Sequence, residues 1–81
     1  MERQEIAEKM TTFLKKALAN KDAVIEGDVP LIDLGLNSSG RLEFFTMCED
    51  EWDLMFDDDE RDEVETFNQA VDLVVKMINE G

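Results

Sequence analysis

Apolar residues recur at three- and four-residue steps in three separate segments of this chain, and nowhere do they alternate long enough to make a strand. That pattern restricts the chain to packed helices. In residues 2–19, Ile6, Met10, Phe13, Leu14 and Ala17 form one stripe with Glu and Lys between them. This predicts a helix of about five turns, which Asn20 and Lys21 bring to an end. A second helix is predicted from Ser38 to about Trp52. Leu42, Phe45, Cys48 (or Glu49) and Trp52 trace its inner face, and Phe44 and Met47 flank it. Glu43, Glu49, Asp50 and Glu51 lie on or beside its outer face. The third segment, from Phe67 to about Asn79, carries Phe67, Ala70, Val71, Val74, Val75 and Ile78 as its buried stripe. Thr66 and Gln69 ahead of it have the spacing of a capping box. Residues 53–63 form an acidic link with room for a short helix. The expectation is an all-α four-helix bundle, with three longer helices and one short one.

Residues 20–37 keep no period. Gly27, Asp28, Pro30 and Gly35 punctuate the chain there. Yet Val24, Ile25, Val29, Leu31, Ile32, Leu34 and Leu36 are apolar, so this is a long loop pinned to the core. A loop of that length in so small a domain usually has a function.

Composition narrows the function. At 81 residues the chain makes a single domain, residues 1–81. A domain of this size buries only about 60–65% of its unfolded surface, which leaves little room for a deep substrate cavity. Its 21 acidic and 8 basic residues give a formal net charge of −13. Such a chain repels nucleic acid and anionic membranes and suits partners with basic patches. The absence of His and Tyr removes the commonest metal ligand and most routes to general base catalysis, so an enzyme acting alone is not expected. A single cysteine, Cys48, allows no internal disulfide and fits a reducing cytosol. The start, MERQEIAEKM, has no apolar run of the kind a secretory leader needs, and no stretch approaches the ~20 apolar residues of a membrane span. These features predict a cytoplasmic monomer. A hydrophobic content of 43% with helical spacing argues for a folded chain despite the acidity.

The most specific local feature is Leu34-Gly35-Leu36-Asn37-Ser38-Ser39. Gly35 permits a tight approach into the helix, Asn37 is a strong N-cap residue, and Ser38 falls in the first turn. A phosphodiester on that hydroxyl would face the positive end of the helix, an effect of about 0.3–1 kcal/mol at a wet surface. Taken alone, the six residues say only that a helix starts here.

The wider sequence resembles the acyl carrier protein family, in which Leu-Gly-x-Asp-Ser-Leu precedes an acidic second helix. The likeness continues in register through Leu42, Glu43, Glu49, Asp50 and Trp52, then Phe56, then Val64, Thr66, Ala70, Val71, Asp72 and Val74. It implies an acyl-carrier-like bundle and a specialised, stand-alone bacterial member of that family. It also implies a 4'-phosphopantetheine arm, taken from coenzyme A and attached covalently to Ser38, with Ser39 as the lesser alternative. The arm would hold acyl groups as thioesters for enzymes of fatty-acid, polyketide or related lipid metabolism. The implied partners are a phosphopantetheinyl transferase and acyl-loading and acyl-transfer enzymes with basic docking patches. The docking residues implied are Glu43, Glu49 and Asp50, with Arg41 beside the attachment point. Asn37 stands where Asp is usual, Ser39 replaces Leu, and Gly40 and Arg41 follow where acidic or neutral polar residues are common. These departures imply a carrier with its own partners. An unmodified acidic adaptor on the same fold and a helical mimic of nucleic acid stay open as alternatives.

Two further features carry less. Asp57-Asp58-Asp59-Glu60 lacks the alternating ligands and the glycine of an EF-hand loop, so no dedicated metal site is expected. Cys48 on the inner face of the second helix reads as a buried, inert thiol. Trp52, Met47 and Met55 are expected in the core or at its edge.

Overall fold

The helical periodicity is realised in a computed structural model that describes residues 2–18, 22 and 24–80. Four α-helices follow in order: α1 (Arg3–Ala17), α2 (Ser38–Trp52), α3 (Asp58–Glu63) and α4 (Phe67–Glu80). Among the described residues of the α1–α2 loop, Leu31–Leu34 form a 3-10 turn. The described residues contain no strand, only an isolated bridge between Pro30 and Thr66. The bundle measures 33 × 25 × 21 Å. No helix among the described residues is long and apolar enough to cross a membrane.

Helix α1 lies against both α2 and α4. Its stripe buries Ile6, Met10 and Leu14 fully, and Leu18 continues the row just past its end. Phe13 and Ala17 are half-buried at the edge. The helix stops at Ala17, two residues short of the expected end. Asn20 and Lys21, expected to terminate it, lie outside the described residues.

The loop is fixed by a few of its apolar residues rather than all of them. Leu31 and Leu36 are buried, and Ile25 and Leu34 pack partly against the core. Val24 and Ile32, expected to help pin it, are 76% and 77% exposed. Backbone bonds supply the remaining attachment. Leu31 N donates to Glu65 O at 2.7 Å, and Asn68 N donates to Gly27 O at 3.1 Å. The Asn68 side chain also donates to Asp28 Oδ1 at 2.9 Å. The segment before α2 is thereby laid along the start of α4.

Helix α2 has the expected bounds and most of the expected face, with Phe45 and Cys48 buried and Trp52 packed against the core; Leu42 is the exception. Phe44, Phe45, Cys48 and Gly40 are buried, whereas Leu42 is 56% exposed. At 3.6 residues per turn, Leu42 lies about 120° around the helix from Cys48, while Arg41 lies about 20° from it. The inner face therefore begins with Gly40 and Arg41. Phe45 meets Phe44 and Phe56 at ring-centroid distances of 5.4 and 5.2 Å, and Trp52 stands edge-on to Phe13 at 5.9 Å. The helix ends at Asp53, whose φ of 53° is left-handed, and Leu54 N donates back to Glu49 O at 3.0 Å. That reversal turns the next residue out: Met55, expected at the core edge, is 86% exposed.

The acidic link forms the short helix α3. Its aspartates serve the helix start, where negative charge is favourable, and the Glu60 carboxylate accepts a bond from Asp57 N at 3.0 Å. The capping box of α4 is present in both directions. Gln69 N donates to Thr66 Oγ1 at 3.2 Å, and Gln69 Oε1 accepts from Thr66 N at 3.1 Å. Phe67, Ala70, Val71 and Val74 are buried, while Val75 and Ile78 are half-buried.

Candidate functional site

The turn into α2 is built by three residues with separate tasks. Gly35 closes the 3-10 turn at φ 96°, a conformation that side chains beyond glycine adopt with strain. A Cβ there would meet nothing within 4 Å, so the backbone angle, not a close approach, requires the glycine. Asn37 is extended and its Oδ1 accepts a bond from Gly40 N at 2.7 Å, which satisfies one free amide of the first turn. Gly40 is the true close approach. A Cβ at that position would lie 2.8 Å from the carbonyl oxygen of Ala17 and 3.0 Å from Leu36 Cδ1. The absence of a side chain lets the start of α2 rest on the end of α1.

Ser38, the first residue of α2, is exposed. It stands between two surface grooves. One, of about 450 Å³, runs under the loop past Leu31, Ile32, Leu36 and Arg41. The other, of about 380 Å³, runs toward α3 past Arg41, Leu42, Phe45, Asp58, Arg61 and Asp62. Ser39 is also exposed but lines neither groove. The exposed side chains of Ile32 and Leu42 give each groove an apolar wall near Ser38.

Arg41 is directed inward from α2. Its Nη2 donates to the carbonyls of Arg61 and Val64 at the C-terminal end of α3, where a cation also complements the helix dipole. The guanidinium lies 5.5 Å from the Phe45 ring centroid, a cation–π distance. Sequence reasoning placed Arg41 near the attachment point but missed this clamp. The available signal was its spacing to Phe45, Cys48 and Trp52, which puts it on the inner face.

The three acidic docking candidates do not form one strip. Glu43 and Asp50 are exposed and, seven residues apart, share one face to within about 20°. Glu49 is half-buried, and its carboxylate accepts a bond from Phe56 N at 3.0 Å, tying α2 to the link before α3. Cys48 is fully buried beneath them. Burial, reinforced by the Glu49 charge, pushes its thiol from 9.0 up to about 12, so it is held neutral. Among the described residues, no group of three or more His, Cys, Asp or Glu is placed to hold a metal ion. Comparison of this chain with protein-family models and with curated proteins gives no match.

Proposed function

We propose that Ser38 is the attachment site of a 4'-phosphopantetheine arm and that the protein is an acyl carrier. The observation that carries this reading is the placement of Ser38: exposed, directly after a formed cap, between two grooves with apolar walls. The all-helical bundle with its long loop before α2 is compatible with the acyl-carrier arrangement. In the loading step the Ser38 oxygen forms a P–O bond to the pantetheine-bearing phosphate of coenzyme A. The pyrophosphate bond breaks, the adenosine bisphosphate leaves with the electron pair, and the serine proton passes to the transferase or solvent. The arm's thiol then holds acyl groups as thioesters, and partner enzymes supply the nucleophiles and bases.

Glu43 and Asp50 are the docking charges in this reading, since both are exposed on one face. Ile32 and Leu42 offer partners the apolar contact that Ser39, in place of leucine, does not. Rim charges of this kind set association rate and salt dependence more than affinity. The test is an intact mass after incubation with coenzyme A and a promiscuous phosphopantetheinyl transferase. The expected result is a gain of one phosphopantetheine that disappears in Ser38→Ala. A gain that survives Ser38→Ala but not Ser39→Ala would move the site. No gain with any transferase would favour the second reading, an unmodified acidic adaptor, to which the departures at Asn37 and Ser39 point.

A further inference from the structure

Arg41 stands one turn beyond Ser38 on α2. Side chains at i and i+3 are neighbours on a helix, about 5–6 Å apart at Cβ, and both residues line the two grooves. The guanidinium is held from behind by neutral partners: two carbonyl oxygens at the end of α3 and the face of Phe45. None of these cancels its charge. Arg61, the other cation along the α3 groove, is by contrast paired with Asp58. Both bonds to α3 use the same nitrogen of Arg41, Nη2. The Nε hydrogen and the two on Nη1 stand outside that clamp. Asp58 and Asp62 line the α3 groove too, but no ion pair joins either to Arg41. In a chain of net charge −13, a half-buried cation is thus fixed beside an uncharged serine.

We propose that Arg41 is the ligand, within this chain, of a phosphodiester carried by Ser38, gripping the end of α3 with Nη2 and the phosphate oxygens with its other donors. The inference rests on Ser38 carrying the arm. A guanidinium–phosphate bond is charge-assisted and stronger than a bond to a carbonyl, and the planar fork suits two oxygens at once. Attachment then joins α2, the phosphate and α3 into one unit. The modified protein differs from the unmodified one at residues 58–64, away from the point of attachment.

The test uses wild type, Arg41→Gln and Arg41→Lys, each unmodified and modified, with intact mass reporting attachment. Melting temperature and amide hydrogen exchange across residues 58–64 are then compared. In wild type, attachment should raise the melting temperature and slow exchange in 58–64 on the order of tenfold. In Arg41→Gln the gain should vanish. In Arg41→Lys, which keeps the charge but not the fork, most of it should be lost. If Arg41→Gln does not fold, the lysine variant carries the comparison. Equal gains in all folded variants, or attachment in wild type without slower exchange in 58–64, would overturn the role of Arg41 and leave the carrier reading standing. Absence of any mass gain on wild type would overturn both.

Discussion

Helices α2 and α4 are nearly equal in length, 15 and 14 residues, yet they are held by different means. Helix α4 buries one apolar stripe, is capped by Thr66 and Gln69, and keeps its polar ties, Asn68 to the loop and Asp72 to Arg3 of α1, on its exposed side. Helix α2 turns a glycine and an arginine inward in its first turn and leaves Leu42 outside. Its attachment is spread over α1 through Gly40, over α3 through Arg41, and over the following link through Glu49. The contrast separates two ways of placing a helix. In α4 the stripe fixes which face points inward, and the polar ties hold it from the surface. In α2 a backbone contact and polar clamps stand at or beside the inner face itself, and they fix the place of its first residue, Ser38.

The largest expected effect tests whether α2 is the more heavily anchored helix. Phe45 is fully buried and touches Phe44, Phe56 and the Arg41 cation. Phe45→Ala should destabilise the fold by about 3–5 kcal/mol in urea unfolding, a large share of the stability of a domain this small. Val74→Ala in α4 removes two carbon groups and should cost about 2 kcal/mol. A larger loss at Val74 than at Phe45 would make α4 the main anchor and break the comparison.

Gly40 sharpens the comparison, because helix propensity and packing predict opposite signs there. In an exposed helix, glycine to alanine gains about 1 kcal/mol. At Gly40 the new methyl would press on the Ala17 carbonyl, a backbone atom with little room to yield. Overpacking of this kind costs about 1–3 kcal/mol, so Gly40→Ala is expected to lower stability. A stabilised Gly40→Ala would show that α2 slides freely on α1 and that its placement is not fixed by this contact.

These residues also show what was legible in the sequence. The stripes of α1 and α4 and the capping residues Asn37, Thr66 and Gln69 were readable because their causes are local, lying within a few residues. So was the place of Ser38 in the first turn of α2, directly after its cap. In α2 hydrophobicity gave the inner places of Phe45, Cys48 and Trp52 but failed in the first turns, where Leu42 faces out and Gly40 and Arg41 face in. Their roles depend on Ala17, Arg61 and Val64, which are brought there by tertiary packing. The grooves beside Ser38 were invisible for the same reason. Glu49 read as a surface charge because nothing local announces its bond to the amide of Phe56.

Cys48 gives a smaller effect, again confined to α2. Its thiol is raised from 9.0 to about 12 in the fold, first by burial and then by the Glu49 charge. The unfolded chain therefore loses this proton before the folded one does. The stabilisation is complete below about pH 9 and declines as pH rises toward 12. By pH 10 the loss should reach about 1 kcal/mol. Unfolding of wild type and Cys48→Ala at pH 7 and pH 10 should show the difference between them narrowing at the higher pH. A constant difference would mean that the thiol is not shielded.

The smallest expected effect distinguishes the cap of α2 from any role of its charge. Asn37 accepts the Gly40 amide through its side-chain oxygen, and aspartate presents an oxygen at the same place. Asparagine and aspartate are about equal as N-caps, whereas alanine costs about 1 kcal/mol. Asn37→Asp should therefore change stability by no more than about 0.5 kcal/mol, and Asn37→Ala by about twice that or more. If docking of a transferase uses a negative charge beside the attachment point, Asn37→Asp should speed modification of Ser38, and the gain should shrink as salt is added. A rate change without a stability change would assign position 37 two separable tasks, capping by its oxygen and recognition by its charge. Equal rates for wild type and Asn37→Asp, with Asn37→Ala slower than both, would leave capping as the whole of its role and put the start of α2 on the same footing as that of α4.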